Sequence, residues 1–308
     1  MKQVEIQVFN LAKTSLNEPK IRQWLQLFDT NYDEIIGENP PSMPSTLVGL
    51  AGKRCYLSFK VGINPNVTKI REDWVKYLDN VLSSGHGSVL EHATYTWAIE
   101  GVSRVFTAEM NRHRAGVAIS EGSMRYIRME DIPFWMPLSL QPSPCPLSDA
   151  EYDELENARS NFGDFDKDRI AAANELGDRY AEWEEIEKKK QVSQAIFERA
   201  FTQAQENYIE LQRIWADALA PKSPFKGKKQ ITSMMRRIIP IGVATGAVYT
   251  LNFRALRHVM SMRWEEAAEE EICFVWSQIG KMMIEAEPEI FGDFVEENGF
   301  IRPKYWKV

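Results

Sequence analysis

The stretch from Ser148 to about Ala218 limits the fold more than any other part of the chain. It is highly charged, and its apolar residues recur at helical spacing. It opens with Ser148-Asp149-Ala150-Glu151, whose hydroxyl and carboxylate can cap the first backbone N–H groups reciprocally. The spacing predicts two or three long helices with a break near Gly163. Elsewhere the signals alternate irregularly. Residues 68–83 read as a helix, with Ile70, Trp74, Leu78 and Val81 on one face, broken by Gly85 and Gly87. His92 to Ile99, rich in Thr, Tyr and Trp, reads as a strand. Ser103 is a candidate N-cap for a helix running to about Arg112, and Ser123 to Ile127 reads as short and extended. A last helix is expected from about Asn252 to Ala286, after a linker at Pro221 to Lys229. Residues 37–46 and 137–148 are Pro-rich loops, and no internal repeat is evident. This order fits an α+β fold better than a doubly wound sheet.

Charge narrows the partners. The 308 residues carry a net charge of −7, which disfavours a general affinity for nucleic acid. Residues 1–13 lack the apolar core of a signal peptide, and the longest apolar stretch, Ile238 to Phe253, is interrupted by Pro240, Gly242 and Gly246. A cytoplasmic protein with no membrane association is expected. Three widely spaced cysteines, Cys55, Cys145 and Cys273, argue against a disulfide framework and a structural zinc site. The distribution of cations is more telling than their number. Residues 101–130 hold Arg104, Arg112, Arg114, Arg125 and Arg128 and no lysine. Residues 231–263 hold Arg236, Arg237, Arg254, Arg257 and Arg263, with no lysine and no acid. Arginine's planar fork suits phosphate and carboxylate, so two such segments in an acidic protein suggest a polyanionic small ligand. The alternative is that they form salt bridges to acidic helices such as 150–190.

Several chemistries are disfavoured. The four histidines, His86, His92, His113 and His258, form no metal-ligand spacing, and no metal is expected. For His92 a structural role is expected. There is no G-x-G-x-x-G and no P-loop, so phosphate binding falls to arginine side chains and helix ends. Cys145 lies in Ser-Pro-Cys-Pro with no cation beside it to lower the thiol pKa, which makes it a poor nucleophile.

At Arg112-His113-Arg114, followed by Ser123-Met124-Arg125-Tyr126, the chain resembles the flavin-dependent thymidylate synthases, whose signature is R-H-R, seven residues and S-x-R-Y. Upstream, Gly85-His86-Gly87-Ser88-Val89-Leu90-Glu91-His92 and Gly101-Val102-Ser103-Arg104 are similar to that family's preceding segments. Downstream, Asn252 to Arg263 is similar to its N-x-R-x-L-x-x-x-L-x-x-R helix, and Ala268-Glu269-Glu270-Glu271-Ile272 to its A-Q-x-E-I. Arg236, four residues before Pro240, falls where the family has a nucleotide-binding arginine. Eight residues separate Arg114 from Ser123 here: either a residue is inserted in the loop or Gly122 occupies the serine's place, and the intact S-x-R-Y favours insertion. Glu109 stands where glutamine or histidine is usual, and Ser120 where asparagine is common.

The resemblance implies one domain over 1–308, a mixed sheet flanked by long helices, with an enlarged helical segment at 148–220. It assigns Ser88, Arg112, His113, Arg114, Glu121, Asn252, Arg254 and His258 to FAD. It assigns Glu109, Arg112, Glu121, Ser123, Arg125, Arg236 and Arg263 to the nucleotide, with Arg263 the catalytic residue that stabilises a uracil ionised at N3. It implies a homotetramer with sites formed between subunits, and conversion of dUMP to dTMP with methylenetetrahydrofolate as carbon donor and NADPH-reduced FAD as hydride source. UMP or a cytidylate is an alternative nucleotide, with methylation or hydroxymethylation at C5. An arginine-rich RNA-binding protein without catalysis is the alternative from another class. On an ideal helix Arg254 and His258 share a face and Arg263 points elsewhere, so one helix could serve flavin and nucleotide on different sides.

Overall fold

The computed structural model describes residues 2–160 and 167–308, with the side chains of 167–170 excepted. The expected break near Gly163 lies outside them. The fold is mixed α and β, as the sequence predicts, and falls into two compact units.

The larger unit, formed mainly by 4–128 and 241–308, is organised by a four-stranded antiparallel sheet. Its order is Gln7–Lys13, Thr94–Ser103, Ala244–Asn252, Val117–Glu121. Along the second strand Tyr95, Trp97 and Ile99 are buried and Thr94, Thr96 and Ala98 less so, the period of two that a sheet with one core face requires. Along the third, Ala247, Tyr249 and Leu251 repeat the pattern. Thr94 pairs with Asn252 and Val117 with Leu251, so the ends of three strands carrying family motifs are in register. At Gly101 the ladder bulges with φ 77°, and a Cβ there would lie 2.1 Å from the Glu5 carbonyl oxygen.

Two helices, Phe253–Arg263 and Glu270–Ala286, contribute Leu256, Val259, Met260, Val275, Trp276 and Ile279 to the same core as the sheet's inner face. The sequence pattern predicts one continuous helix here. The chain instead leaves the helix at Trp264 and starts again where Glu269 caps the backbone N–H groups of Glu271 and Ile272, at 3.0 and 3.2 Å. Other boundaries shift for similar local reasons. The helix expected over 68–83 begins only at Trp74, because the Asp73 side chain caps Lys76 N. The strand expected at His92 starts at Thr94, after a 3-10 helix Gly87–His92. The helix from Ser103 forms, with Ser103 Oγ accepting from Val105 and Phe106 N, but ends at Met110. Residues 123–127 are a turn closed on the Ser123 carbonyl, not an extended segment; the strand lies just before it, at Val117–Glu121.

The second unit is mainly 136–240. Its Asp149–Ser160 helix opens with the anticipated capping box: Ser148 N donates to Glu151 Oε2 at 2.8 Å and Glu151 N to Ser148 Oγ at 3.3 Å. Lys167–Ile214 follows as a helix of 48 residues. Its side chains satisfy backbone groups of the Pro-rich loop, which has no ladder of its own. Gln194 donates to Leu140 O at 2.6 Å, Lys190 to Gln141 O at 3.1 Å and Trp183 to Ser143 O at 3.3 Å. The expected linker at 221–229 is in part helical, since Phe225–Met235 starts directly after Pro224.

Candidate active site

The site grows from the ends of the larger unit's central strands. Asn252 ends one of them and caps the following helix, its Oδ1 accepting from Ala255 N at 2.8 Å. That cap uses one lone pair of Oδ1 and leaves the amide NH2 of Asn252 able to donate to a ligand. The helix then buries Phe253, Leu256, Val259 and Met260, and turns Arg254 and His258 outward together, as their spacing predicts. Asn252, Arg254 and His258 line a cleft of about 380 Å³ with Glu91, Ala115, Gly116 and Val308. Gly116, at φ 70°, leaves no room for a Cβ, which would meet the Asn252 side chain at 2.6 Å. Arg254 donates to Glu91 at 2.7 Å; both side chains are about half exposed, a pairing that contributes little stability and yields readily to a competing anion.

Arg263 takes a different course. Its Nη1 pairs with Glu109 at 2.6 Å, and its Nε donates to His113 Nε2 at 2.9 Å across a separation of 150 residues. The His113 ring lies 5.8 Å, edge to face, from that of His258. Glu109, His113, His258 and Arg263 therefore converge, bringing the two arginine segments together. Burial, then the charges of Arg263, His258 and Arg112, push the His113 imidazole down to about 4, so it is neutral at physiological pH.

The first segment is braced at its strand end. Arg104 pairs with Glu121 at 2.8 Å and donates to Gly122 O at 2.7 Å, while Asn111 donates to Glu121 at 3.1 Å. The Glu121 carboxylate is thus already engaged. Beneath it, the buried Glu271 carboxylate accepts from Ser103 N and Ser103 Oγ, holding the start of the helix that carries Glu109. Burial pushes Glu271 up to about 7, against those hydrogen bonds. Arg112, Arg114 and Arg125 are exposed; Arg112 and Arg114 have no acidic partner among the described residues. Arg125 lies 6.0 Å from the Tyr126 ring centre, and Ser123 opens the turn before it. Arg236 sits at the 3-10 turn Arg236–Ile238 of the second unit.

Ser88 is exposed and lines a separate cleft of about 480 Å³ with Cys55, Tyr56, Lys69, Arg71 and His86. There the Tyr56 hydroxyl and His86 Nε2 are 3.0 Å apart. The salt-bridge alternative holds for part of the arginine set. Arg104, Arg254, Arg257 and Arg263 do pair with carboxylates, but these are Glu121, Glu91, Asp293 and Glu109 rather than acids of the 150–190 helices. Arg257 belongs to the core: buried, it pairs with Asp293 and also reaches Ile290 O and Tyr305 O. The sequence assigns no ligand-site role to Glu91, Asn111 or Val308. Of these only Glu91 falls in a motif, within Gly85 to His92.

The donor set fits an anionic cofactor such as a flavin dinucleotide. The cleft offers the guanidinium of Arg254, an imidazole and an amide NH2, its one acidic side chain, Glu91, already faces that guanidinium, and a glycine backbone forms one wall. Among the described residues no helix is long and apolar enough to cross a membrane. The family model of the thymidylate synthase complementing protein matches residues 40–289. A probable flavin-dependent thymidylate synthase of Mycobacterium phage D29 is 28% identical over 287 residues, covering 93% of this chain and 95% of that protein. The flavin-dependent thymidylate synthase of Mycobacteroides abscessus is 28% identical over 250 residues, 80% of this chain and 78% of that one. Among solved structures, a UMP/dUMP methylase, PolB from Streptomyces cacaoi, bound with 5-Br dUMP, shares the fold with a TM-score of 0.56 at 17% identity, over 95% of this chain and 96% of that one. With its family model matched across 40–289, the chain belongs to the thymidylate synthase complementing protein family.

Proposed function

We propose that this protein is a flavin-dependent methyltransferase that converts dUMP to dTMP, with methylenetetrahydrofolate as carbon donor, NADPH as reductant and FAD as cofactor. One observation carries the reading: Arg263, His113 and His258, drawn from two distant arginine-bearing segments, form a single cluster beside a cleft lined by Asn252 and Arg254. The names of the similar synthases support the flavin.

In this reading Asn252, Arg254 and His258 hold the cofactor, with Ser88, Arg112, His113, Arg114 and Glu121 contributing to its binding. Bound and reduced, the flavin would supply the hydride that carries a methylene to a methyl group. Arg263 supplies what a nucleophilic thiol supplies in other chemistry, electron density at C5. A guanidinium held charged beside the uracil stabilises the ring ionised at N3. Glu109, Ser123, Arg125 and Arg236 bind the nucleotide, with Arg112 and Glu121 shared between the two ligands. Assembly as a homotetramer would let subunits share one site.

The test is turnover of the purified protein with labelled methylenetetrahydrofolate across dUMP, UMP and cytidine nucleotides. A flavin absorption band, dUMP-dependent NADPH oxidation and labelled dTMP are expected. Protein that stays colourless and cannot be reconstituted with FAD would overturn the reading. Product from UMP or a cytidylate alone would move it to another pyrimidine nucleotide, as the dual specificity named for the Streptomyces cacaoi methylase suggests. Salt-sensitive RNA binding without turnover would favour the non-enzymatic alternative.

A further inference from the structure

The hydrogen bonds around Arg263 constrain more than that arginine. A guanidinium has donors only, so the nitrogen facing Arg263 Nε must be an acceptor. That nitrogen is His113 Nε2, at 2.9 Å. A neutral imidazole accepting at Nε2 carries its proton on Nδ1, the reverse of the arrangement that dominates in free histidine. Glu109 grips the same guanidinium at Nη1, 2.6 Å away, and fixes the direction in which Nε points. Arg263 Nη2 has no partner among the described residues, nor has His113 Nδ1.

We infer that Glu109, Arg263 and His113 form a positioning chain in which Arg263 holds His113 as its Nδ1-protonated neutral tautomer, making His113 a hydrogen-bond donor to an acceptor atom of the ligand. Toward His113, Glu109 acts only through Arg263 and is there a positioning residue. The direction of the chain follows from charge: the carboxylate orients the cation, the cation fixes the tautomer, and the imidazole presents an N–H. The groups facing His113 are the cations Arg263 and Arg112 and the imidazole of His258, all opposing a second proton on its ring. Glu109 faces Arg263 rather than His113 in this chain. The ligand-facing half of the inference rests on the proposed function; the tautomer does not.

The experiment separates them. Side-chain 15N NMR on the whole protein has only His86, His92, His113 and His258 to resolve. It should show His113 protonated at Nδ1 and bare at Nε2, with no titration between about pH 5.5 and 8. Arg263→Ala should release it to the Nε2–H form, and Glu109→Gln should leave a mixture. A His113 protonated at Nε2 in the wild-type protein, or one that titrates in that range, overturns the inference whatever the enzyme's activity. The ligand-facing half predicts a distinct pattern. Glutamine places its amide near the position of Nε2 and asparagine near that of Nδ1. The His113→Asn variant can therefore still donate to the ligand, while His113→Gln can still accept from Arg263. If both bonds are needed, each variant alone loses roughly 10-fold or more in kcat with KM little changed, and His113→Ala loses more than either. Wild-type kcat in both His113→Gln and His113→Asn overturns that half. A wild-type protein that shows the tautomer but no turnover with any nucleotide overturns the proposed function alone.

Discussion

Arg257 and Arg263 lie six positions apart on one helix and are held in opposite ways. Arg257 is closed on protein at both Nη atoms: buried, it grips Asp293 with the pair of them, reaches two backbone carbonyls and lies 4.7 Å from the Phe294 ring centre, its Nε alone without a hydrogen-bond partner among the described residues. Among the described residues Arg263 is closed on two sides only, by Glu109 and His113, and keeps one edge unused. The same residue type in the same arginine-rich segment thus serves the fold in one place and keeps a donor group unengaged in the other, among the described residues. Counting satisfied donors, rather than noting the residue type, tells the two apart.

The sharpest way to break the comparison is to remove each arginine in turn. Arg257→Ala leaves Asp293 buried without its cation and should cost about 3–5 kcal/mol of unfolding free energy, read by chemical denaturation, with the flavin site intact in whatever remains folded. Arg263→Ala should leave stability within about 1 kcal/mol, yet lower kcat by roughly 100- to 1000-fold at unchanged FAD content. Stability loss in both, or full turnover in Arg263→Ala, would erase the distinction. Glu271 sharpens it from below, since it holds the start of the helix bearing Glu109. Its carboxyl is raised to about 7 in the folded protein from an ordinary 4.5, so the folded state binds the extra proton. Its contribution is therefore complete below pH 4.5 and lost as pH rises through 7, by up to about 3 kcal/mol. Glu271→Gln should flatten that decline relative to wild type in pH-dependent denaturation; an unchanged slope would mean another group sets it. The smallest effect belongs to Arg254→Ala, which gives up an exposed ion pair and should barely alter stability while weakening FAD retention about tenfold, read by equilibrium dialysis.

Much of the site is legible in the sequence because its motifs are local. Arg254 and His258 share a face through helical spacing alone, and Ser103 and Ser148 announce their helices by capping chemistry. Less legible is whatever depends on distant neighbours. The strand Ala244–Asn252 lies inside an apolar run with two glycines, and only its pairing with Thr94–Ser103 on one edge and Val117–Glu121 on the other makes it a strand. Val117–Glu121 is short and half exposed, so its alternation is weak, and the sequence pattern puts the extended segment a few residues too late. The Arg263–His113 contact spans 150 residues and leaves no mark on either local sequence. The break between the last two long helices depends on a glutamate cap, at a position where side-chain chemistry gives a weaker signal than glycine or proline.

The sheet's order also sets a schedule. Its two central strands, Thr94–Ser103 and Ala244–Asn252, are hydrogen-bonded neighbours, yet residues 104–243 are synthesised between them. Until the later strand has left the ribosome, the earlier one shows an unpaired edge where its central partner belongs, with Tyr95, Trp97 and Ile99 awaiting the helices that complete their core. Because that pairing is non-local, the strand's edge stays open while residues 104–243 are made, and the cluster of Glu109, His113, His258 and Arg263 cannot form before then.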